Sequence, residues 1–342
     1  MSHAWKSLLA VVLVAVVALA ALPAAAQDKP IELKFSSWVS TVHGHHTGVM
    51  VPWAKMVEEK SKGRLKITIY PGSTLGKPAD HFDMVKDGIA DLGFTTPGYT
   101  PGRFPLIAAT ELPLLFKSSR GGSLAVMSIF DKYFKNEFKD VKVLWFWVHP
   151  PGHFHLAKKQ VKVLEDLAGL KIRAATPMLT TMVRTLGAVP VSIPAPDTYT
   201  ALERGTVDGT IFPWEAISSF KIAEVLKHHA AVGLYVAPLF TFMNQKKYDS
   251  LPADLRKVID DLSGPWGAEF NGKVWDQNET VGIEAIKKAG GTIYTVPAEE
   301  RQRWAAKLKP VEEEWVKATE AKGLPARQLL IDLREAIKKY DP

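Results

Sequence analysis

Apolar and polar residues alternate along Ile31–Trp38 (IELKFSSW), the two-residue period of a strand with one covered face. From about His46 to Ser61 the spacing becomes helical, and Gly63 stands where a helix would end. Alternation resumes in Leu65–Tyr70 (LKITIY). A helix is predicted over Pro78–Lys86, a short buried strand over Asp91–Phe94 that breaks at Pro97-Gly98, and one helix over Ser119–Asn136. Val141–Val148 (VKVLWFWV) is a strongly apolar strand stopped by Pro150-Pro151-Gly152.

Past that breaker the pattern restarts. Strands are predicted at Phe154–Ala157, Leu170–Arg173, Val189–Val191, Val207–Phe212, Val232–Val236 and Phe240–Asn244, with helices at Met178–Leu186 and Asp197–Glu203. Pro252–Lys288 reads as almost wholly helical, interrupted at Gly264-Pro265. The tail, Pro297–Lys339, reads as two amphipathic helices joined at Gly323-Leu324-Pro325, with Trp304, Leu308, Val311 and Trp315 on one packing stripe. Strands alternating with helices predict α/β architecture. One segment type occurs twice: Gly88 and Gly205 each stop a helix, an Asp follows three residues later (Asp91, Asp208), and an apolar strand and a proline come next. Two halves built alike would present loops at the carboxyl ends of their strands, where open sheets bind ligands.

The first residues change the setting. Lys6, an apolar run from Leu8 to Leu22 and Ala24-Ala25-Ala26 form an export signal, with cleavage expected before Gln27. The run is about 15 residues, short of the roughly 20 a membrane span needs. Without the leader, about 316 residues are left, more than one core usually serves, so two domains are expected. The 342-residue chain has a net charge of +7, of which Lys6 supplies one unit, and no cysteine. Lipid attachment through a lipobox cysteine, disulfides and thiol chemistry are thereby excluded. Its basic residues are scattered, which argues against a nucleic-acid partner, while the positive excess favours anionic ligands.

Three patterns could carry chemistry of other kinds. His43-Gly44-His45-His46 could be a zinc cluster serving a metal-dependent enzyme, yet it lacks H-E-x-x-H and Cys–His spacing. Gly72–Pro78 falls one residue short of a phosphate loop, with Pro78 where a magnesium-binding hydroxyl belongs. Gly121-Gly122-Ser123-Leu124-Ala125 lacks the last glycine of a nucleophile elbow. No cofactor, no bound metal and no catalytic residue are expected.

Asp166-Leu167-Ala168-Gly169-Leu170-Lys171-Ile172-Arg173 resembles the D-L-x-G-L-K-x-R motif of the solute-binding proteins of TRAP (tripartite ATP-independent periplasmic) transporters, the DctP-like family. Leu186–Val191, Tyr199–Glu203 and Gly205–Gly209 follow at that family's spacing, and Val57–Arg64, Tyr70-Pro71-Gly72 with Leu75-Gly76, and Leu112–Phe116 are similar to its first-domain signature. The resemblance implies a two-domain Venus-flytrap binding protein with crossing strands and a long helix spanning both domains. By analogy, domain I is 27–150 plus 238–278, and domain II is 151–237 plus 279–342. It also implies a periplasmic location, delivery to the small and large membrane subunits, and a monomer.

The arginine of the motif, here Arg173, is implied to grip the ligand carboxylate, as a planar guanidinium with two parallel donors can. Two positions depart from the family pattern. Phe212 stands where many relatives have an amide, and His153 where many have a second arginine. One carboxylate with an apolar or aromatic body, packed on Phe212 and Trp214, is therefore the expected ligand. C4-dicarboxylates and sugar acids are the alternative, and Phe212 and Trp214 could instead fill the core beneath the cleft. Trp38, His43 and Tyr99 follow first-domain strands, and Tyr199 opens a second-domain helix; each is a candidate wall or hydrogen-bonding residue.

Overall fold

The computed structural model describes residues 29–342; the export signal and its cleavage point lie outside them. Eleven strands are described: β1 (Ile31–Ser36), β2 (Leu65–Tyr70), β3 (Leu92–Thr95), β4 (Val141–Val148), β5 (His153–Leu156), β6 (Lys171–Ala174), β7 (Val189–Ser192), β8 (Gly209–Phe212), β9 (His228–Ala231), β10 (Pro238–Asn244) and β11 (Thr292–Thr295). They form two sheets, ordered β2-β1-β3-β10-β4 and β11-β9-β5-β8-β6-β7. In the first, β10 runs antiparallel to both neighbours; in the second, β5 does so. In β1 the two-residue period buries Leu33 and Phe35 and leaves Glu32 and Lys34 exposed. All seven residues of β10, held between two partners, are buried.

Two crossings join the lobes. β4 runs through His149–Gly152 into β5, and β9 returns through Val232–Ala237 into β10. The crossing segments pair with each other: the Gly152 N–H donates to the Tyr235 carbonyl at 2.7 Å, and the Leu234 N–H to the Gly152 carbonyl at 2.7 Å. Val232–Val236, expected as a sheet strand, is this connector. Its backbone groups are satisfied by the opposite crossing, and the strand lies just before it, in His228–Ala231, whose composition has no alternation to betray it. The edge strand β11, paired with β9, was likewise not anticipated.

Seven helices matter for the site: α1 (Val51–Lys60), α2 (Ser119–Ser128), α3 (Pro177–Thr185), α4 (Trp214–Ser219), α5 (Gly264–Lys288), α6 (Ala298–Glu320) and α7 (Ala326–Tyr340). Ser118 and Thr176 cap α2 and α3, their hydroxyls accepting from Gly121 and Leu179 at 3.0 and 3.2 Å. The single helix expected over Ser119–Asn136 breaks at Ile129, which leaves helical dihedrals (φ −109°, ψ 3°). At 25 residues, α5 is about 37 Å long, enough to lie on α2 and β4 of one lobe and on α4 of the other. The last helix departs from the expected division, in which 279–342 belonged with the second domain. Leu329, Leu330, Leu333 and Ala336 of α7 are buried, and α7 packs on α2 of the first lobe. There Asp341 accepts from Lys117 N–H and Ser118 Oγ, both at 2.6 Å.

Contact between α5 and α4 is tight. A Cβ on Gly282 would stand 1.8 Å from the Trp214 carbonyl oxygen, so only glycine lets the two backbones meet. Beside it the Glu215 N–H donates to Glu279 Oε1 at 2.8 Å. Burial, reinforced by the Glu215 charge, pushes the Glu279 carboxyl up to about 8.

Two outcomes follow from this seam. Gly282→Ala in an exposed helix would stabilise by roughly 0.5–1 kcal/mol; here it is expected to destabilise by about 1–3 kcal/mol through overpacking, read by denaturant unfolding. Glu279 keeps its proton in the fold but loses it near 4.5 when unfolded, so its contribution to stability is full below about pH 4.5 and is lost as pH rises through about 8. Glu279→Gln should therefore gain on the wild type at pH 8.5 relative to pH 5; parallel pH profiles for the two proteins would contradict this.

Candidate functional site

Between the lobes, at the carboxyl ends of β1, β3, β6 and β8, lies a cavity of about 60 Å³. The lobes are shut over it. The Gly44 N–H donates to Ser219 Oγ at 3.0 Å, the Ala195 N–H donates to Tyr99 Oη at 2.9 Å, and the Thr176 hydroxyl donates to Glu111. Burial pushes the Glu111 carboxyl up to about 7.

Arg173 is the third residue of β6, paired with Val191 of β7 and Thr210 of β8. Only 1% of it is exposed. Its Nε donates to the Ile193 carbonyl at 2.8 Å, which fixes the plane of the guanidinium, and Phe212 lies under that plane with its ring centre 4.3 Å away. Nη1 and Nη2 find no acceptor in the protein. Burial lowers the pKa of Arg173, yet a guanidinium does not deprotonate in a protein. A desolvated cation with two parallel free donors is a receptor for a planar anion.

The rest of the wall is a closed series of rings. From Arg173 and Phe212 it passes to Phe220 (5.7 Å between centres), His43 (4.8 Å) and Trp275 (6.2 Å). It continues through His45 (5.9 Å), Phe94 (4.7 Å), Trp38 (4.8 Å) and Tyr99 (6.1 Å), and Tyr99 in turn neighbours Arg173. First-lobe loops, second-lobe strands and α5 all contribute, so the annulus exists only when the lobes are together.

Of the residues expected at the site, Arg173, Phe212, Tyr99, Trp38 and His43 line this cavity, whereas His153, Trp214 and Tyr199 do not. The β8 strand ends at Phe212, so the alternation that would have turned Trp214 to the same side no longer applies; its ring stacks on His153 at 4.3 Å instead. His153 Nδ1 accepts from the Val232 and Gly233 N–H groups at 3.1 and 3.0 Å, so it pins a crossing segment, and burial pulls its pKa down to about 3. Tyr199 is partly exposed and donates to Glu224 at 3.1 Å.

The zinc reading of the histidine cluster fails on geometry. His43 Nδ1 accepts the His45 N–H at 3.1 Å, and His45 Nδ1 accepts the Trp275 indole N–H at 3.2 Å. Among the described residues no three side chains are arranged to hold a metal. Burial takes the His43 pKa down to about 3, leaving a neutral ring as wall.

His45, Phe94, Thr96, His149, Tyr235 and Trp275 also line the cavity and were not anticipated. Phe94 and Thr96 stand just before Tyr99 at the end of β3, a placement that could have flagged them. His149 and Tyr235 sit on the crossing segments, visible in the sequence only as a chain break, and Trp275 arrives from α5. His149 holds the crossing together: its Nε2 accepts the Ala237 N–H at 3.0 Å and its Nδ1 meets the Pro150 carbonyl at 2.5 Å. Burial, with the Arg173 charge adding, brings its pKa down to about 4, so the ring is neutral and can accept. A larger groove of about 300 Å³ beside Trp315 includes Lys322 but no buried cation; enclosure and charge single out the smaller cavity.

Residues 35–318 match the family described as bacterial extracellular solute-binding protein, family 7 (DctP). A TRAP solute-binding protein from Rhodoferax ferrireducens T118, solved with copurified benzoate, is 38% identical and superposes with a TM-score of 0.89 over 91% of this chain and 98% of its own. A marine-metagenome TRAP solute-binding protein specific for aromatic acid ligands, solved with 3-hydroxybenzoate, is 36% identical with a TM-score of 0.90 over 92% of this chain and 100% of its own. The C4-dicarboxylate-binding periplasmic protein DctP of Rhodobacter capsulatus is 27% identical over 90% of this chain and 92% of its own. These relatives are solute-binding proteins, not enzymes. With the two-lobe fold, the shut cavity and this match over most of its length, the chain belongs to the DctP family of TRAP transporter solute-binding proteins.

Proposed function

We propose that this protein captures a small aromatic monocarboxylate in the periplasm and delivers it to the small and large membrane subunits of a TRAP transporter. In this reading it acts as a monomer, exported through a leader cleaved before Gln27. The observation that carries the reading is the pair of unsatisfied donors on buried Arg173, set at one point of an aromatic annulus. A carboxylate on Nη1 and Nη2 neutralises the cation where water is excluded and the attraction is least screened. The ring of the ligand then replaces water against aromatic walls. The likeness to proteins solved with benzoate and with 3-hydroxybenzoate supports the same ligand class.

Dicarboxylates and sugar acids fit less well. Arg173 is the only Lys or Arg among the described residues that line the cavity. His43 and His149 are held neutral by burial, so a second carboxylate would be desolvated without a counter-charge. A polyol would face rings rather than amides. The cycle is a hinge movement: the lobes part about the paired crossings His149–Gly152 and Val232–Ala237 and close on the ligand. The two sheets, with residues 29–150 plus 238–278 on one side and most of the remaining described residues on the other, are the moving bodies.

Calorimetry on the full-length mature protein tests this. Benzoate should bind while succinate, malate and glucuronate give no heat. Arg173→Met should weaken benzoate by roughly 100-fold or more, since two charge-assisted hydrogen bonds at about 1.5–3 kcal/mol each are lost. The ligand-free variant should melt at or above the wild type, because an unpaired buried cation has been removed. Wild-type affinity in that variant, or binding of dicarboxylates alone, would overturn the reading.

A further inference from the structure

Three other buried polar atoms around the cavity also lack a partner: Trp38 Nε1, His45 Nε2 and Thr96 Oγ1. Their residues are 7%, 1% and 5% exposed, and all three line the cavity. All lie on the first lobe, and Phe94 gathers them: its ring centre is 4.8 Å from that of Trp38 and 4.7 Å from that of His45, and Thr96 follows two residues later. A wall of rings needs no such atoms. Buried donors without acceptors each cost about 1–3 kcal/mol, and three around one small cavity call for a shared cause.

The chemistry of the three is one-sided. The Trp38 indole can only donate. His45 Nδ1 is occupied as acceptor by the Trp275 indole N–H at 3.2 Å, so the neutral ring carries its proton on Nε2 and donates there. Burial holds the His45 pKa well below the ordinary range, with His43 and His46 adding to the effect, which keeps that tautomer. The ring is also immobile, stacked on Trp147 at 4.7 Å and 20°. Thr96 can donate or accept. Two fixed donors and one adaptable hydroxyl are suited to an acceptor oxygen.

Around the annulus, His45 is separated from Arg173 by several residues in either direction, and the two sit on different lobes. One path between them runs Phe212, Phe220, His43, Trp275; the other runs Tyr99, Trp38, Phe94. A ligand anchored by its carboxylate on Arg173 would point its far end at His45. We infer that the first-lobe wall, led by His45 Nε2 with Trp38 Nε1 and Thr96 Oγ1 beside it, is a subsite for an oxygen substituent remote from the carboxylate, so that this chain selects hydroxy- or oxo-substituted aromatic acids over unsubstituted ones. This rests on Arg173 as the carboxylate anchor. Because the subsite donors and the anchor sit on different lobes, a ligand filling both ties the lobes together.

The test is calorimetry with benzoate, 3-hydroxybenzoate and 4-hydroxybenzoate on the full-length mature protein and on two variants. In the wild type, at least one hydroxylated acid should bind roughly three- to tenfold tighter than benzoate, the worth of one neutral hydrogen bond. His45→Phe keeps a ring and removes the donor; read as the ratio of hydroxybenzoate to benzoate affinity, the preference should disappear. Trp275→Phe frees His45 Nδ1 and should blunt the preference by a smaller factor. A readout that needs no variant is the imidazole nitrogen spectrum of the labelled wild type. His45 should appear as the Nε2-protonated tautomer, and its Nε2 signal should move with the preferred hydroxybenzoate but not with benzoate. If benzoate binds through Arg173 and hydroxylation brings no gain and no Nε2 shift, the subsite is refuted while the anchor stands. If no aromatic acid binds, both fall together.

Discussion

One unsatisfied guanidinium organises this molecule. Arg173 is buried with a single internal hydrogen bond, from Nε to the Ile193 carbonyl. A cation removed from water with its strongest donors unused is unfavourable unless an anion answers it. The surroundings hold it in place without answering it: the Phe212 ring lies 4.3 Å beneath, and Tyr99 and Tyr235 stand close by. Most neighbouring features of the cleft, the aromatic wall and the neutral histidines alike, keep the site dry and leave that charge unanswered within the protein.

The histidines show the same design in another form. His43, His149 and His153 are held by burial at about 3, 4 and 3, so they act as polar wall and backbone acceptors rather than as cations. His149 and His153 fix the two crossing segments by accepting backbone N–H groups. Those bonds need an unprotonated nitrogen. Below about pH 6.5 the unfolded chain takes up protons that the folded histidines refuse, so these groups lose their contribution as pH falls toward 4. Raised carboxyls such as Glu111 and Glu279 act in the opposite sense as pH rises. Joint and cleft are thus built from groups kept uncharged by burial.

Closure is distributed rather than local. Gly44 with Ser219, Tyr99 with Ala195 and Thr176 with Glu111 each bridge the lobes at a different place on the rim. Behind them α5 lies across both lobes, close enough to α4 that Gly282 has no room for a side chain. The α7 helix returns to α2, so the last helix packs on the lobe that also holds β1. In the proposed cycle the lobes part about the two crossings while the helices at the back hold them in register.

Much of this was legible in the sequence. Alternation in Ile31–Ser36 and Leu65–Tyr70 and the apolar run Val141–Val148 named three strands, because each has one face or both faces in a core. The Asp166–Arg173 motif singled out the arginine and the family, and the glycine-to-aspartate repeats pointed at the strand ends that face the cleft. What escaped was what local pattern cannot encode. His228–Ala231 pairs as a strand only because β5 is there to receive it, and Val232–Ala237 crosses between lobes because Gly152 satisfies it. Trp214 and His153 looked like cleft residues by spacing, yet the end of β8 turned one onto the other. Trp275 and His45 meet across 230 positions of chain, and their hydrogen bond sets the tautomer. The sequence alone settled the type of most elements, the family and the arginine that the structure buries, since these depend on periodicity and motif. Only the tertiary structure decided which rings surround that cation and which donors remain unpaired, because both follow from contacts between segments far apart in the chain.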